Sequence, residues 1–178
     1  AKAPRPGRRW RPVQVDGLSR GISALSVLVV DDDTSTRRML GLALERKGFE
    51  VRCAGSGEEA LGLLRERAFD ILLSDIHMPD IDGIDLCRDA RGIRPGIGLV
   101  LVTGFQTEES VLRAFRSGAA AYLRKPLELP VLYRTLGQVA DALREAPPGQ
   151  AAAHLHGAVD LKVGPASEEA GPVESTQV

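Results

Sequence analysis

The sequence has few cysteines, few aromatic residues and no long apolar run. Its two cysteines, Cys53 and Cys87, are too few for a disulfide framework or a cysteine metal cluster. Both lie in apolar-patterned segments, which predicts buried, reduced thiols. The sequence contains no apolar run long enough to span a bilayer and no signal-peptide core, so we expect a cytoplasmic protein.

Neither sign of charge predominates, and the formal net charge is −1. The two signs are nevertheless separated, because residues 1–20 are basic and residues 147–178 are acidic. The basic arm could contact nucleic acid or a membrane surface. Trp10 is the only aromatic residue among its charges, which favours a solvated arm.

Composition divides the chain into three segments. Residues 1–24 are predicted to form a basic, disordered arm, and residues 147–178 an Ala/Pro/Gly-rich disordered tail or linker. Residues 25–146 are long enough for one domain with its own core. The first residue is not methionine. We therefore expect a processed chain or a piece of a longer one.

The middle segment alternates between short apolar runs and stretches with helical periodicity. The runs VLVV, ILL and LVLV lack polar alternation, which is typical of strands buried on both faces. Five strand–helix units in succession predict an α/β fold with a doubly wound, five-stranded parallel sheet.

Helix boundaries are predicted from capping residues. Ser56 and Glu59 form a predicted capping box for the second helix, and Thr107 is the predicted N-cap of the fourth. Gly48 and Gly118 are predicted to end the first and fourth helices. The first helix is expected to bury one face, made of Met39, Leu40, Ala43 and Leu44.

Chemically active side chains stand where four of the five predicted strands end. Asp31 and Asp32 follow the first strand, and Asp75 ends the third. Thr103 ends the fourth strand and Lys125 the fifth. Because ligands of open parallel sheets bind at the carboxyl ends of the strands, we expect these side chains to converge.

A cluster of this composition suits a dication and a phosphoryl group. Neighbouring carboxylates are tolerable when they hold a hard cation, and Mg²⁺ is the expected one. An ammonium and a hydroxyl beside it suit phosphate oxygens, with a carboxylate as the acceptor. In the loop after Asp75, Pro79 is expected to add stiffness and Gly83 to permit a turn, while Gly104 leaves room for the phosphoryl group.

Four motifs occur in one order along the chain: VLVVDDD, DILLSDIHMPDIDG, LVLVTG and AYLRKP. With these motifs, residues 25–146 resemble the receiver domain of bacterial two-component response regulators. The resemblance implies a flavodoxin-like fold with strand order 2-1-3-4-5. It also implies a signalling module switched by phosphorylation, with no enzymatic activity beyond its own phosphorylation and dephosphorylation.

The resemblance further implies a role for each residue at the strand ends. Asp75 matches the phosphoacceptor, and Thr103 and Lys125 match the groups that contact the phosphoryl group. Asp32 matches the direct Mg²⁺ ligand, while Asp31 would act mainly through water.

Other residues receive implied roles in the same way. The backbone carbonyl of His77 would join Asp75 among the Mg²⁺ ligands. Tyr122 matches the aromatic residue whose rotamer follows the state of Thr103. The bond between Lys125 and Pro126 is expected to be cis. Asp33 falls outside the acidic pair and is interpreted as charge at the start of a helix.

The implied partner is a sensor histidine kinase or a histidine phosphotransfer protein. Phosphorylation would alter the surface around the fourth helix, fifth strand and fifth helix, and a phosphorylation-linked homodimer is a further expectation. The receiver is not expected to bind nucleic acid directly. The chain is either a stand-alone receiver or part of a longer regulator or hybrid kinase, and a scaffold role without phosphorylation is a third hypothesis.

Two positions are predicted to set the lifetime of the phosphorylated form. His77 lies two residues after the acceptor and Phe105 two residues after Thr103. Phe105 cannot orient an attacking water and can cover its approach, which predicts slow hydrolysis. A neutral His77 imidazole could compensate.

A phosphatase of the haloacid-dehalogenase type is the main alternative. In DDDTS, Asp31 would be its nucleophile and Asp33 its acid/base, with Ser35 following, while Asp75 and Asp80 imitate its late acidic motif. The order argues against it, because the lysine of that family precedes the late acids, whereas here the lysine follows them.

A dinucleotide site is the second alternative. GSGEEA places Gly55, Gly57 and Ala60 between a strand and a helix, with Asp75 about twenty residues further on. A glycine pattern of this kind is weak by itself, and it leaves the acidic pair and the lysine unexplained.

Overall fold

Five strands alternate with five helices in a computed structural model that describes residues 25–104 and 108–145. Both predicted tails lie outside the described residues, as do Phe105 and Thr107. The elements are β1 Ser26–Val30, α1 Thr34–Arg46, β2 Glu50–Ala54, α2 Gly57–Glu66, β3 Ile71–Asp75, α3 Gly83–Ile93, β4 Gly98–Thr103, α4 Glu108–Arg116, β5 Ala121–Arg124 and α5 Leu129–Glu145.

All strand pairs are parallel, and the sheet order is β2-β1-β3-β4-β5. The predicted fold class and strand order are confirmed. Strands β1, β3 and β4 are buried along their whole length, as their continuous apolar sequences predict. Strand β2 lies at the edge and exposes most of its side chains.

Alternate residues of each central strand supply two apolar cores, one on either face of the sheet. From β1, Leu28 points to the core shared with α2, α3 and α4, whereas Val27 and Val29 point to the core shared with α1 and α5. Full burial of a leucine or valine side chain is worth about 1.5–3 kcal/mol. The two cores therefore fix the sheet between its helices and hold the strand ends in register.

Helix caps confirm part of the sequence analysis. The side chain of Asp33 accepts a hydrogen bond from the Thr36 amide at 2.6 Å, so Asp33 is the N-cap of α1. Ser56 Oγ caps α2 by accepting from the Glu59 amide at 3.1 Å. The Glu59 carboxylate returns to the amide of Gly55, at 2.7 Å, one residue earlier than a standard capping box requires.

Two side chains are more exposed than predicted. Met39 is 44% exposed, because it lies about 100° around α1 from Leu40, which faces the core. Cys53 is exposed, because it lies on the sparsely covered edge strand β2. Cys87 is buried under α3, as predicted. Within the described residues, no helix is long and apolar enough to cross a membrane.

The two cysteines should differ in reactivity. Burial raises the pKa of Cys87 to about 12 and raises that of Cys53 by a smaller amount. A reagent that alkylates thiolates should therefore modify only Cys53 in the native chain at pH 8, and it should do so slowly. Cys87 should react only after unfolding. Cys53→Ser should abolish the native-state reaction. Equal labelling of both thiols in the native chain would contradict the assigned burial.

Candidate functional site

The parallel order of the strands brings the predicted site residues to one edge of the sheet. Val30, the last residue of β1, pairs with Ser74 of β3, so the residues that follow them, Asp31 and Asp75, are neighbours. Thr103 ends β4, and Lys125 follows the last residue of β5. The convergence predicted from the strand ends is present in the structure.

Three carboxylates form the centre of this edge. Asp31, Asp32 and Asp75 each offer one oxygen atom, and these atoms lie within 4.8 Å of one another. Asp31 and Asp75 are buried, at 2% and 8% exposure, whereas Asp32 is exposed. Two buried carboxylates this close repel each other strongly unless a cation lies between them.

Lys125 supplies that cation. Its Nζ lies 2.9 Å from Asp31 Oδ2 and 3.0 Å from Asp75 Oδ2. Burial lowers the pKa of Lys125, but the hydrogen bonds to Asp31 and Asp75 outweigh it, so the net pKa is raised. The bond between Lys125 and Pro126 is cis, as predicted.

The remaining lone pairs define what the site can hold. Asp31 Oδ1 accepts a hydrogen bond from the Asp33 amide at 2.9 Å, and Asp31 Oδ2 accepts one from Lys125, so both Asp31 oxygens have partners. Asp75 Oδ1 is buried, and no hydrogen bond reaches it from the described residues. An orphaned carboxylate oxygen beside two further carboxylates fits a hard, oxygen-seeking dication such as Mg²⁺.

The loop between β3 and α3 is held close to the acceptor strand. A Cβ atom on Gly83 would overlap the Asp75 carbonyl, and the Gly83 amide donates to Ile76 O at 2.8 Å. Gly83 does not have a positive φ. A side chain would not fit at Gly83, as expected, and the reason is the close approach of the backbone, since its φ is not positive. His77, in this loop, is exposed.

The two predicted switch residues are both inside the protein. Thr103 is fully buried at the end of β4, and Tyr122 is 7% exposed within the core shared with α2, α3 and α4. Tyr122 of β5 pairs with Leu101 of β4, so β4 separates its strand from β3, which carries Asp75.

Neither alternative interpretation matches this geometry. The Asp33 carboxylate caps α1, so it is committed to a structural bond and not aimed at the site as an acid/base. In GSGEEA, Ser56 Oγ accepts the amide of Glu59, and Asp80 Oδ2 accepts the amide of Glu58 at 3.0 Å. These oxygens occupy the position at the start of α2 where a dinucleotide phosphate would bind.

A five-stranded parallel sheet with this strand order, with three carboxylates and a lysine at its carboxyl edge, defines a flavodoxin-like α/β domain. The response regulator receiver domain family matches residues 27–136. The chain belongs to this family and is therefore a signalling domain of two-component systems.

Full-length regulators are among its relatives. Transcriptional regulatory protein ZraR of Salmonella typhimurium is 36% identical over 121 residues, which cover 68% of this chain and 27% of ZraR. Regulatory protein AtoC of Escherichia coli is 38% identical over 106 residues, covering 60% of this chain and 23% of AtoC. The chain thus spans about a quarter of the length of these relatives.

Two solved structures of response regulators resemble this chain over most of their own length. A CheY-like receiver domain protein from Methanospirillum hungatei has 32% identity and a TM-score of 0.67, covering 69% of this chain and 98% of that one. A response regulator from Burkholderia pseudomallei, with a phosphorylated aspartic acid, a calcium ion and citrate, has 28% identity and a TM-score of 0.61. The match covers 67% of this chain and 71% of that one.

The sequence analysis missed one residue at this edge. Arg37 donates from Nη1 to the backbone carbonyls of Asp31 and Asp32, at 2.6 and 3.4 Å. The available signal was an arginine in the first turn of a helix that directly follows an acidic pair. A side chain that bonds the turn before its own helix does not show up in the spacing of apolar residues, so hydrophobic periodicity could not identify Arg37.

Lys125→Met should destabilise the protein by roughly 2 kcal/mol at pH 7, because Asp31 and Asp75 stay buried without a cation. The loss should persist through pH 9. The pKa of Lys125 is raised above its ordinary value of 10.5, so the ammonium stays charged throughout this pH range. Its contribution to the stability is lost only as the pH rises through the raised pKa. Urea unfolding at several pH values measures the difference.

Arg124→Met is the matched control, since it removes the same charge from the exposed neighbouring position. A surface charge of this kind is worth well below about 1 kcal/mol. Equal stabilities of the two variants at pH 7 would show that the Lys125 bridge contributes nothing.

Proposed function

We propose that the chain accepts a phosphoryl group on Asp75 from a phosphohistidine of a sensor histidine kinase or histidine phosphotransfer protein. The supporting observation is the asymmetry of the Asp75 carboxylate. Oδ2 is held by Lys125 at 3.0 Å, whereas Oδ1 is buried with no hydrogen bond from the described residues. A carboxylate held in place by a cation can offer one oxygen to phosphorus and the other to a metal ion.

In the proposed step, one oxygen of the Asp75 carboxylate attacks the phosphorus in line with the phosphohistidine nitrogen. The O–P bond forms as the N–P bond breaks, and the electron pair of the broken bond remains on the imidazole nitrogen. Lys125 lies close enough to follow the charge onto the phosphoryl oxygens, since its ammonium already contacts the same carboxylate.

Mg²⁺ is the proposed cofactor, held by Asp31, Asp32 and Asp75 with the backbone carbonyl of His77. When bound, the ion would neutralise charge on the transferring phosphoryl oxygens. Asp32 is proposed as a direct ligand because its carboxylate is exposed at the rim. Asp31 is proposed to act through water, because both of its oxygens already accept hydrogen bonds.

The proposed output is a change in the surface formed by α4, β5 and α5. Thr103 would move its hydroxyl onto the phosphoryl group, and Tyr122 would adjust its ring to the new position. Among the side chains that the structure describes on these helices, Leu112 on α4 is 56% exposed and Val131 on α5 is 38% exposed. Such side chains suit contact with an output partner or with a second phosphorylated copy.

Because ZraR is a transcriptional regulatory protein, we propose transcription as the process that this receiver controls. The receiver would act through an output domain or partner protein and would not itself bind nucleic acid.

Asp75→Asn should abolish phosphorylation. Incubation of the wild-type chain with acetyl phosphate and Mg²⁺ should add one phosphoryl group, seen by intact mass and removed by hydroxylamine. Asn lacks the anionic oxygen that attacks phosphorus, so its yield should fall to background. Asp89→Asn, an exposed acid on α3, should react like wild type. A wild-type yield in Asp75→Asn would refute Asp75 as the acceptor.

Phe105→Glu should shorten the lifetime of the phosphorylated chain by roughly tenfold. A carboxylate there could orient the attacking water, and general-base help is worth roughly 10²–10⁴ in rate where it is fully realised. Acyl-phosphate decay after removal of the donor measures the effect, with Phe105→Leu as the apolar control. If decay slows in His77→Ala and stays unchanged in Phe105→Glu, His77 sets the rate instead.

A further inference from the structure

Arg37 lies beside the acidic pair without contacting either carboxylate through a hydrogen bond. Its Nη1 donates to Asp31 O at 2.6 Å and reaches Asp32 O at 3.4 Å, while Nη2 donates to Thr34 Oγ1 at 3.1 Å. The guanidinium therefore binds the backbone of the turn that carries the two acids and leaves their charged oxygens available.

The same turn is closed by two further bonds. The Arg37 amide donates to Asp33 O at 3.0 Å, and the Asp33 amide donates to Asp31 Oδ1 at 2.9 Å. Between these bonds lies Asp32, which has an exposed side chain and no strand to hold its backbone. The Arg37 guanidinium thus adds bonds from α1 to this turn, a short one to the Asp31 carbonyl and a longer one to the Asp32 carbonyl.

The guanidinium packs against the neighbouring β2–α2 turn. A Cβ atom built on Gly55 would lie 3.4 Å from Arg37 Cζ and 3.4 Å from its Nη1. Arg37 is consequently enclosed between the turns that follow β1 and β2, and it is half-buried.

We propose that Arg37 is a positioning residue that pre-organises the Asp31–Asp32 turn for binding of the divalent cation. This inference rests on the proposed function, since it assumes that the acidic cluster holds Mg²⁺. A turn already ordered before binding does not lose that backbone freedom when the cation arrives, and fixing one residue corresponds to roughly a tenfold effect on affinity.

A positive charge near a cation site also has an opposing effect. The Arg37 charge repels Mg²⁺, although solvent screening weakens this repulsion at a half-exposed position. Arg37→Lys separates the two effects, because it keeps the charge and removes the planar set of donors that bridges two carbonyls and a hydroxyl. Positioning therefore predicts weaker binding in Arg37→Lys, whereas charge alone predicts no change.

The test is calorimetric titration of the full chain with Mg²⁺ alone. Arg37→Lys should raise the Kd about tenfold, and Arg38→Lys, the same change at the exposed next residue, should leave it unchanged. Asp32→Asn should weaken binding further and reports on the proposed metal site itself. Gly55→Val adds methyl groups beyond a Cβ that would already contact the guanidinium, so it is expected to shift Arg37 and raise the Kd, and it serves if Arg37→Lys does not fold.

The outcomes separate the two proposals. Absence of Mg²⁺ binding by the wild type, or equal binding by Asp32→Asn, would refute the metal site whatever Arg37 does. Binding by the wild type that is lost in Asp32→Asn but kept within twofold in Arg37→Lys and Gly55→Val would overturn the positioning role. A fall in melting temperature of metal-free Arg37→Lys with an unchanged Kd would likewise show that Arg37 only stabilises the fold.

Discussion

The ammonium of Lys125, shared between two buried carboxylates, is the interaction on which the rest of the site depends. Strands β1 and β3 are adjacent and parallel, so the acids that follow their last residues meet in a poorly solvated place. Their repulsion would oppose the sheet order that the apolar cores impose. Lys125 follows β5, two strands from β3, and its long side chain reaches back to join Asp31 and Asp75.

At the opposite edge of the sheet, where β1 and β3 begin, a carboxylate has a purely structural role. Asp70, just before β3, accepts hydrogen bonds through Oδ2 from the Ser26 amide at 2.7 Å and from Ser26 Oγ at 2.8 Å. Neutral donors fix that carboxylate and fasten the start of β1 to β3. At the carboxyl edge Asp75 has one cation and one buried oxygen that the described residues leave unbonded. Such an arrangement costs stability and is retained where chemistry requires it.

Apolar strands, helix caps and helix-ending glycines predicted five strand–helix units in a parallel sheet, whereas the strand order was implied by the resemblance to the receiver family. Sequence reasoning predicted the acidic cluster because strand ends in a parallel sheet share an edge. It failed where tertiary coverage decides the outcome: Cys53 is exposed because nothing covers β2 fully, and Met39 because α1 buries a narrower face. Arg37 was missed because two of its three acceptors are backbone carbonyls, which leave no pattern in the sequence.

The two cationic side chains of the site have different partners and therefore different roles. Lys125 contacts carboxylate oxygens and offsets one negative charge among the three of Asp31, Asp32 and Asp75. Arg37 bonds backbone carbonyls, so it orders the turn without pairing with those carboxylates. A second lysine bonded to the acids would have stabilised the resting domain further, but it would also have competed with any dication. Keeping Arg37 on the peptide backbone leaves the cluster with excess negative charge, which is the condition that a cation site requires.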